Sequence, residues 1–250
     1  MGADFRDVNN DGKADIFVVA MIGDTFPLFL NRGRGFADVT GRSGLAKYCS
    51  NMTGWSNGIA DFDNDGWKDL ISTNASILDN AEVIDHLPSK LPNTVFRNLN
   101  GEKFEDVSAL AGASFRVPQF HRGAAFGDLD GDGRIDVVIT NILAQPEILL
   151  NRSANANHWL VVKLRGVRSN RDGLGARVRI VTPDGKSQYN HATTSVGLSS
   201  SSDKRVHFGL GANPAVETLE IVWPSGIRQT QSGIKANQVI EATEASERRP

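Results

Sequence analysis

Three nine-residue stretches of the chain share one arrangement of oxygen-bearing side chains. The first holds Asp7, Asn9, Asp11, Lys13 and Asp15, the second Asp61, Asp63, Asp65, Trp67 and Asp69, and the third Asp128, Asp130, Asp132, Arg134 and Asp136. Their common form is Asp-x-Asp/Asn-x-Asp-Gly-x-x-Asp. A hard dication such as Ca2+ takes about six to eight oxygen ligands at about 2.3–2.6 Å. Side chains at positions 1, 3 and 5 of a tight loop can converge on one such centre. Gly at position 6 lets the backbone bend sharply. Position 7 (Lys13, Trp67, Arg134) offers its carbonyl, and the Asp at position 9 closes the shell. The expectation is up to three bound Ca2+ ions, one per loop, with a structural role. Without metal each loop gathers carboxylates that repel one another. Plain Asp/Gly hairpin turns are the competing reading, which the third aligned copy makes less economical.

An EF-hand shares the first six positions but requires Glu at position 12 and flanking helices. Position 12 is Val18, Ser72 or Ile139, so a helix-opening Ca2+ sensor is excluded. Catalytic constellations are weak. The five histidines (His86, His121, His158, His191, His207) lack metal-ligand spacing, and Cys49 lacks a thiol-protease setting. There is no nucleophile elbow and no phosphate-binding Gly loop. Ser199–Ser202 reads as a flexible hairpin tip, and His207 as a packed residue. Cys49 is the single cysteine, so an intrachain disulfide is impossible.

The 250 residues carry a net charge of −2, distributed unevenly: residues 1–151 sum to −8 and residues 152–250 to +6. The arginines of the second part are scattered, without interleaved stacking aromatics, so no nucleic-acid partner is expected. Arg171, Arg177 and Arg179 read as solvated charges or as groups facing an acidic partner or the acidic first part. No apolar run approaches the ~18 residues of a membrane span.

The elements that position the loops repeat with them. Each loop runs into an apolar, β-branched stretch, namely Ile16–Ala20, Leu70–Ser72 and Val137–Thr140. A second signature follows: Leu28 to Asn31, Val95 to Asn98, and Ile148 to Asn151. In the first two copies it leads to Phe36-Ala-Asp-Val-Thr40 and Phe104-Glu-Asp-Val-Ser108, and in the third it breaks off. The middle unit carries an insertion around Asp79–Pro92. Strands recurring at this pitch suggest four-stranded propeller blades. From Trp159 the texture changes to short strands (Trp159–Arg165, Arg177–Thr182, Arg205–Gly209, Leu219–Trp223, Gln238–Glu241) divided by Gly/Pro turns, the pattern of a compact sandwich or barrel. Ser153–His158 reads as a linker.

The loops with their following strands resemble FG-GAP/VCBS propeller repeats. Residues from about Asn157 to Thr243 resemble an ASPIC/UnbV domain, through Ser169 to Arg177, His207-Phe-Gly-Leu-Gly211 and Val222-Trp-Pro-Ser-Gly226. That order is similar to the cartilage acidic protein family. Repeats and resemblance together predict an all-β chain, with a partial β-propeller of about three blades over residues 1–152 and a β-sandwich-like ASPIC/UnbV domain over 157–243, and residues 244–250 read as a frayed tail. The resemblance further implies a secreted, periplasmic or cell-surface Ca2+-binding module for adhesion or for binding a protein or carbohydrate. An enzyme or enzyme accessory of a secreted or natural-product pathway, acting at the propeller axis, is the alternative. Three blades fall short of the usual four to eight. Missing N-terminal blades of a longer protein, or another copy, are expected to complete the ring.

Overall fold

The computed structural model describes residues 1–84 and 86–246. The chain is all-β, with five sheets of three or four strands in a β-propeller arrangement. Among the described residues, helix is confined to three four-residue segments and two 3-10 turns.

The first sheet is antiparallel in chain order: β1 (Ala3–Arg6), β2 (Asp15–Val18), β3 (Leu28–Asn31) and β4 (Phe36–Asp38). The segment after β4 forms two short helices, α1 (Thr40–Ser43) and α2 (Ala46–Cys49). The second sheet repeats the order with β5 (Gly54–Ala60), β6 (Asp69–Asn74), β7 (Thr94–Leu99) and β8 (Lys103–Asp106). Its insertion holds α3 (Ala81–Ile84). The third sheet has three strands, β9 (His121–Gly127), β10 (Asp136–Asn141) and β11 (Glu147–Leu149), with β10 in the middle. Each metal-type loop joins the first two strands of its sheet, so the three loops stand at equivalent places.

β5 and β9 carry little strand signal in sequence, because glycines and polar residues interrupt them. Packing demands this. A Cβ on Gly54 would overlap Val19, and one on Gly58 would overlap the Phe126 ring. Neighbouring sheets approach closely along these strands, and side chains would hold them apart.

β12 (His158–Arg165) pairs antiparallel with β17 (Val206–Gly211) and parallel with β20 (Gln238–Thr243). β13 (Arg177–Val181) lies between β14 (Ser187–His191) and β18 (Ala215–Val222), and β19 (Arg228–Lys235) closes that sheet. Both sheets turn their alternate apolar residues onto one core that includes Leu160, Val162, Ile180, Phe208, Leu219 and Trp223. A ribbon of β15 (Ser195–Val196) and β16 (Ser200–Ser201) tucks against the third sheet, where the Ser202 hydroxyl accepts the Phe126 N–H at 2.9 Å. The Ser199–Ser202 segment is thus a docked hairpin end.

Two expectations require correction. The segment 153–158 is anchored, because Asn155 Nδ2 and Asn157 Nδ2 both donate to the Asp63 carbonyl at 2.8 Å. The start of the 244–250 tail is also structural: Glu244 is only 2% exposed. Its Oε2 accepts the N–H groups of Val167, Arg168 and Ser169 at 2.7–2.8 Å, and its Oε1 accepts the hydroxyls of Ser169 and Ser225. Five donors around one carboxylate close the 166–170 loop. Residues 247–250 lie outside the described residues.

Candidate metal centre

All three loops use one hydrogen-bond frame, and it explains each repeated residue type. The position 1 carboxylate folds the loop over itself. Asp7, Asp61 and Asp128 each accept the N–H of position 5 (Asp11, Asp65, Asp132) on one oxygen and that of the position 6 Gly on the other, at 2.7–3.3 Å. The position 5 carboxylate in turn accepts the N–H of Lys13, Trp67 or Arg134 at 2.8–2.9 Å. Position 6 is Gly because φ there is +84° to +97° in the first two loops and +82° in the third. Position 4 is also left-handed, at Asn10 (φ 57°), Asn64 (φ 59°) and Gly131 (φ 80°), and Asn and Gly are the residues that tolerate it.

The position 9 carboxylate joins loop to sheet. One oxygen of Asp15, Asp69 or Asp136 accepts the N–H of position 2 (Val8, Phe62, Leu129) at 2.8–3.2 Å. The other accepts the N–H of Asn31, Asn98 or Asn151 at 2.7–2.8 Å. This is the role of the Asn that ends each Leu/Val/Ile-x-x-Asn signature. Each position 9 carboxylate oxygen accepts a single N–H and so retains acceptor capacity.

Adjacent loops are tied together. Asn10 Nδ2 donates to the Gly66 carbonyl at 3.1 Å, and Asn64 Nδ2 to the Gly133 carbonyl at 3.2 Å. Asn98 Nδ2 reaches back to the Val8 carbonyl at 2.8 Å, and Asn151 Nδ2 to that of Phe62 at 2.7 Å. The two asparagines of the repeat therefore link each loop to the next in both directions.

Oxygens of Asp61, Asp63 and Asp69 lie within 4.8 Å of one another, as do those of Asp128, Asp130 and Asp136. Two oxygens bound to one Ca2+ can stand at most about 5 Å apart, so both clusters fit a common centre. In loop 1 position 3 is Asn9, which lowers the charge of the donor set. Asp65 and Asp132 lie outside the tight groups. The donor sets consist of hard oxygens alone, which suits Ca2+ better than softer metals.

Electrostatics differ among the loops. Burial, reinforced by neighbouring aspartates, pushes Asp61 and Asp69 well above the usual carboxylate range, and burial with Asp63 pushes Asp65 up to about 6. Burial likewise raises Asp15 to about 6, and raises Asp7 and Asp136. In loop 3, Arg152 donates to Asp130 at 2.6 Å and to Asp132 at 3.0 Å, and Arg134 also pairs with Asp132. The Arg152 hydrogen bond holds Asp130 below its ordinary value. Lys13 pairs with Asp11 in loop 1. Asp63 and Asp65 have no cation within salt-bridge distance among the described residues. Loop 2 thus combines the full carboxylate set with the least side-chain neutralisation at its mouth.

Sequence reasoning missed Lys68, at position 8 of loop 2. It is 5% exposed, its ammonium donates to the Tyr189 carbonyl at 2.9 Å, and Asp7 and Asp61 offset part of its desolvation. Loops 1 and 3 carry Ala14 and Ile135 there, so a Lys at an otherwise apolar position was the available signal. Lys68 lines a cavity of about 60 Å3 between the repeats and the C-terminal sheets, together with Asp4, Arg6, Asp128, Arg205 and His207. Ligand pockets measure about 300–1,000 Å3, so this space suits bound water at a polar interface. Burial drives His207 down to about 4, and its Nε2 lies 3.0 Å from the Gly133 carbonyl of loop 3.

The C-terminal sheets thus pack on the loops. Gly211 N–H donates to the Asn64 carbonyl at 2.8 Å, and a Cβ on Gly209 would overlap an Asp61 oxygen. The Trp159 ring leaves no room for a Cβ on Gly133.

The family profile described as FG-GAP-like repeat matches residues 7–72, and that described as ASPIC and UnbV matches residues 166–249. The chain is 25% identical over 272 residues to cartilage acidic protein 1 of Xenopus tropicalis, covering 89% of this chain and 41% of that protein. It is 24% identical over 292 residues to the Homo sapiens protein of the same name, covering 96% and 43%. The chain spans less than half the length of these relatives. Loop 3 lies outside both profile matches, yet its residues at positions 1, 5 and 9 accept the same backbone N–H groups as those of the first two loops. No helix among the described residues is long and apolar enough to cross a membrane.

Proposed function

Taking the chain as an FG-GAP-like repeat region joined to an ASPIC and UnbV domain, we propose that it is a Ca2+-stabilised binding module. We read its first three sheets as propeller blades and its last two as one two-layer domain, since those two share a single core. The observation that carries the metal reading is the convergence of oxygens at positions 1, 3 and 9 of loops 2 and 3 within 4.8 Å, joined in loop 2 by the burial that pushes Asp61 and Asp69 up. A bound dication would reverse this cost. Asp61, Asp63 and Asp69 would hold it in loop 2, Asp128, Asp130 and Asp136 in loop 3, and Asp7, Asn9 and Asp15 in loop 1. The ion would supply charge neutralisation and stiffness to the loop. The residues themselves orient the sheets, since the same carboxylates hold the backbone of the next strand.

This role fits a module that works outside the cytoplasm, where Ca2+ sites of about 10⁻⁴–10⁻³ M affinity are filled. We place the chain as secreted, periplasmic or at the cell surface, binding a protein or carbohydrate. Tryptophans beside two loops provide the test. Trp67 is position 7 of loop 2, and Trp159 packs on Gly133 of loop 3. Tb3+ added to the chain should give tryptophan-sensitised emission that Ca2+ competes away, reduced in Trp67→Phe and again in the double variant with Trp159→Phe. Melting should rise with Ca2+ and fall with EDTA. Absence of both sensitised emission and a Ca2+-dependent melting shift would reduce the loops to plain turns.

A further inference from the structure

At the end of the third sheet away from its aspartate loop, His121 meets polar side chains and carbonyls at both ring nitrogens. It opens β9, pairs across the sheet with Asn141 at the end of β10, and is 0% exposed. Its Nδ1 lies 3.1 Å from the carbonyls of both Asn74 and Leu91, so Nδ1 carries a proton and donates it. Its Nε2 lies 3.4 Å from Oε1 of Glu147 in β11 and 3.2 Å from the side-chain amide of Asn93, which is 1% exposed. A neutral ring has spent its one proton on Nδ1, and Nε2 then turns a lone pair toward a carboxylate oxygen. Two lone pairs at that distance repel, so a positive charge belongs between them, either a second proton or a metal ion.

The surrounding oxygens favour the ion. Asn93 Oδ1, Asn141 Oδ1 and Glu147 Oε2 are buried and find no hydrogen-bond donor among the described residues. Buried acceptors are almost always paired, so three orphans around one imidazole need a cause. A proton on Nε2 serves one acceptor well, whereas an ion takes several donors at once. A half-turn of the Asn93 amide brings Oδ1 to the ring in place of Nδ2. Ligands about 2.0–2.2 Å from a tetrahedral ion stand about 3.3–3.6 Å apart, close to the 3.2 and 3.4 Å separations around Nε2. The outer contacts are those that metal-binding residues need. Backbone carbonyls orient the ring through its Nδ1–H. Asn141 Nδ2 donates to Glu147 Oε1 at 2.9 Å and holds that carboxylate in place. The Glu147 side chain is 21% exposed, which gives an ion its way in.

We propose that His121 Nε2, the Glu147 carboxylate and Asn93 Oδ1 bind a first-row divalent transition ion such as Zn2+. One imidazole with two oxygen ligands suits such an ion better than Ca2+, which takes oxygen alone. The ion clamps the segment before β7 to the first residues of β9 and β11, and so ties the insertion of the second sheet to the third sheet. No residue of this site belongs to the aspartate loops, so it stands or falls apart from Ca2+ binding. The oxygen ligands lie 28 positions before His121 and 26 after it, so no local spacing signals them.

The test is isothermal titration of the intact chain with Zn2+ in excess Ca2+, which competes for the aspartate loops, with Co2+ absorption as the optical readout. A Zn2+ site that depends on His121 and Glu147 is expected, and Co2+ should give the visible bands of a four-coordinate ion. Glu147→Gln keeps the shape of a partly exposed residue and should weaken Zn2+ binding at least about tenfold, with the chain still folded by circular dichroism. His121→Gln should abolish the Co2+ bands, and His158→Gln, outside the site, should leave them intact. Imidazole 15N resonances of the unsubstituted chain give a reading that needs no variant: Zn2+ should shift His121 Nε2 while Nδ1 stays protonated. A ring that stays protonated on both nitrogens in excess Zn2+ overturns the proposal, in favour of a proton-bridged His121–Glu147 pair. Absence of Zn2+ binding also overturns it, as does binding indifferent to Glu147→Gln and His121→Gln. Loops that prove indifferent to Ca2+ leave these outcomes readable, because the 15N shift and the two variants report on this site alone.

Discussion

Asn9 and Asp63 occupy the same place in two loops whose backbone frames match bond for bond, which makes them a built-in comparison of donor charge. Affinity for Ca2+ follows the number of charged ligands at such a site. Asp63→Asn should lower the affinity of loop 2 roughly tenfold and Asn9→Asp should raise that of loop 1, both by isothermal titration, with little change in metal-free melting. Glu244 is a second residue-scale case. Burial pushes its pKa up, but the Ser169 and Val167 N–H groups and the Ser225 hydroxyl together outweigh this and hold it at about 2. A depressed carboxylate stabilises the fold above its unfolded value and loses that stabilisation as pH falls from about 4.5 toward about 2. Glu244→Ala should cost at least about 2 kcal/mol, because the N–H groups of Val167, Arg168 and Ser169 and the hydroxyls of Ser169 and Ser225 lose their acceptor. It should also flatten that part of the acid-melting curve.

At the scale of elements, the loops and the C-terminal sheets share one surface. Gly209 of β17 lies against Asp61, and Gly133 of loop 3 against the Trp159 ring of β12. Gly209→Ala removes no candidate ligand, yet its methyl would overlap Asp61. Ca2+ affinity at loop 2 should therefore fall with loop 3 unaffected, as read by the separate tryptophan-sensitised Tb3+ signals. Gly133→Ala meets the ring and also a left-handed backbone, at a cost of about 2–4 kcal/mol in urea unfolding. Strands β14 and β19 escaped sequence reading because they are polar: Ser187–His191 and Arg228–Lys235 lack a clean apolar alternation. β5 and β9 escaped it because close contacts at Gly54, Gly58 and Gly127 keep small residues on them.

For the whole molecule, the buried carboxylates set the pH response. Burial raises Asp15 and Asp65 to about 6 and pushes Asp61 and Asp69 well above the ordinary carboxylate value, so all four lie above the unfolded value of 3.8. A raised folded pKa means that the native chain holds protons the unfolded chain has released, so stability falls as pH rises through that range. In EDTA, melting should therefore drop as pH increases from about 4 past about 6, and Ca2+ should cancel the drop. A metal-free melting temperature that rises over this range would contradict the burial of these groups. Asn155, Asn157, Lys68 and His207 stitch the repeats to the C-terminal sheets. The chain should accordingly melt in a single calorimetric transition.

Local pattern alone determined the three loops, the strand that follows each, and the Asn at or just beside the end of the third strand. Side-chain geometry within nine residues dictates that much: left-handed positions demand Gly or Asn, and a carboxylate can bridge only a few amides away. Composition also marked the change of architecture near residue 158. The tertiary structure decided what required distant segments to meet. It assigned the repeat asparagines their neighbouring loops, placed a cation at Lys68 between two of them, and turned the presumed linker and the start of the tail into anchors. Among the described residues it also left β11 without the outer neighbour that β3 and β7 possess. These are contacts between residues tens of positions apart, and no local period in the chain encodes them.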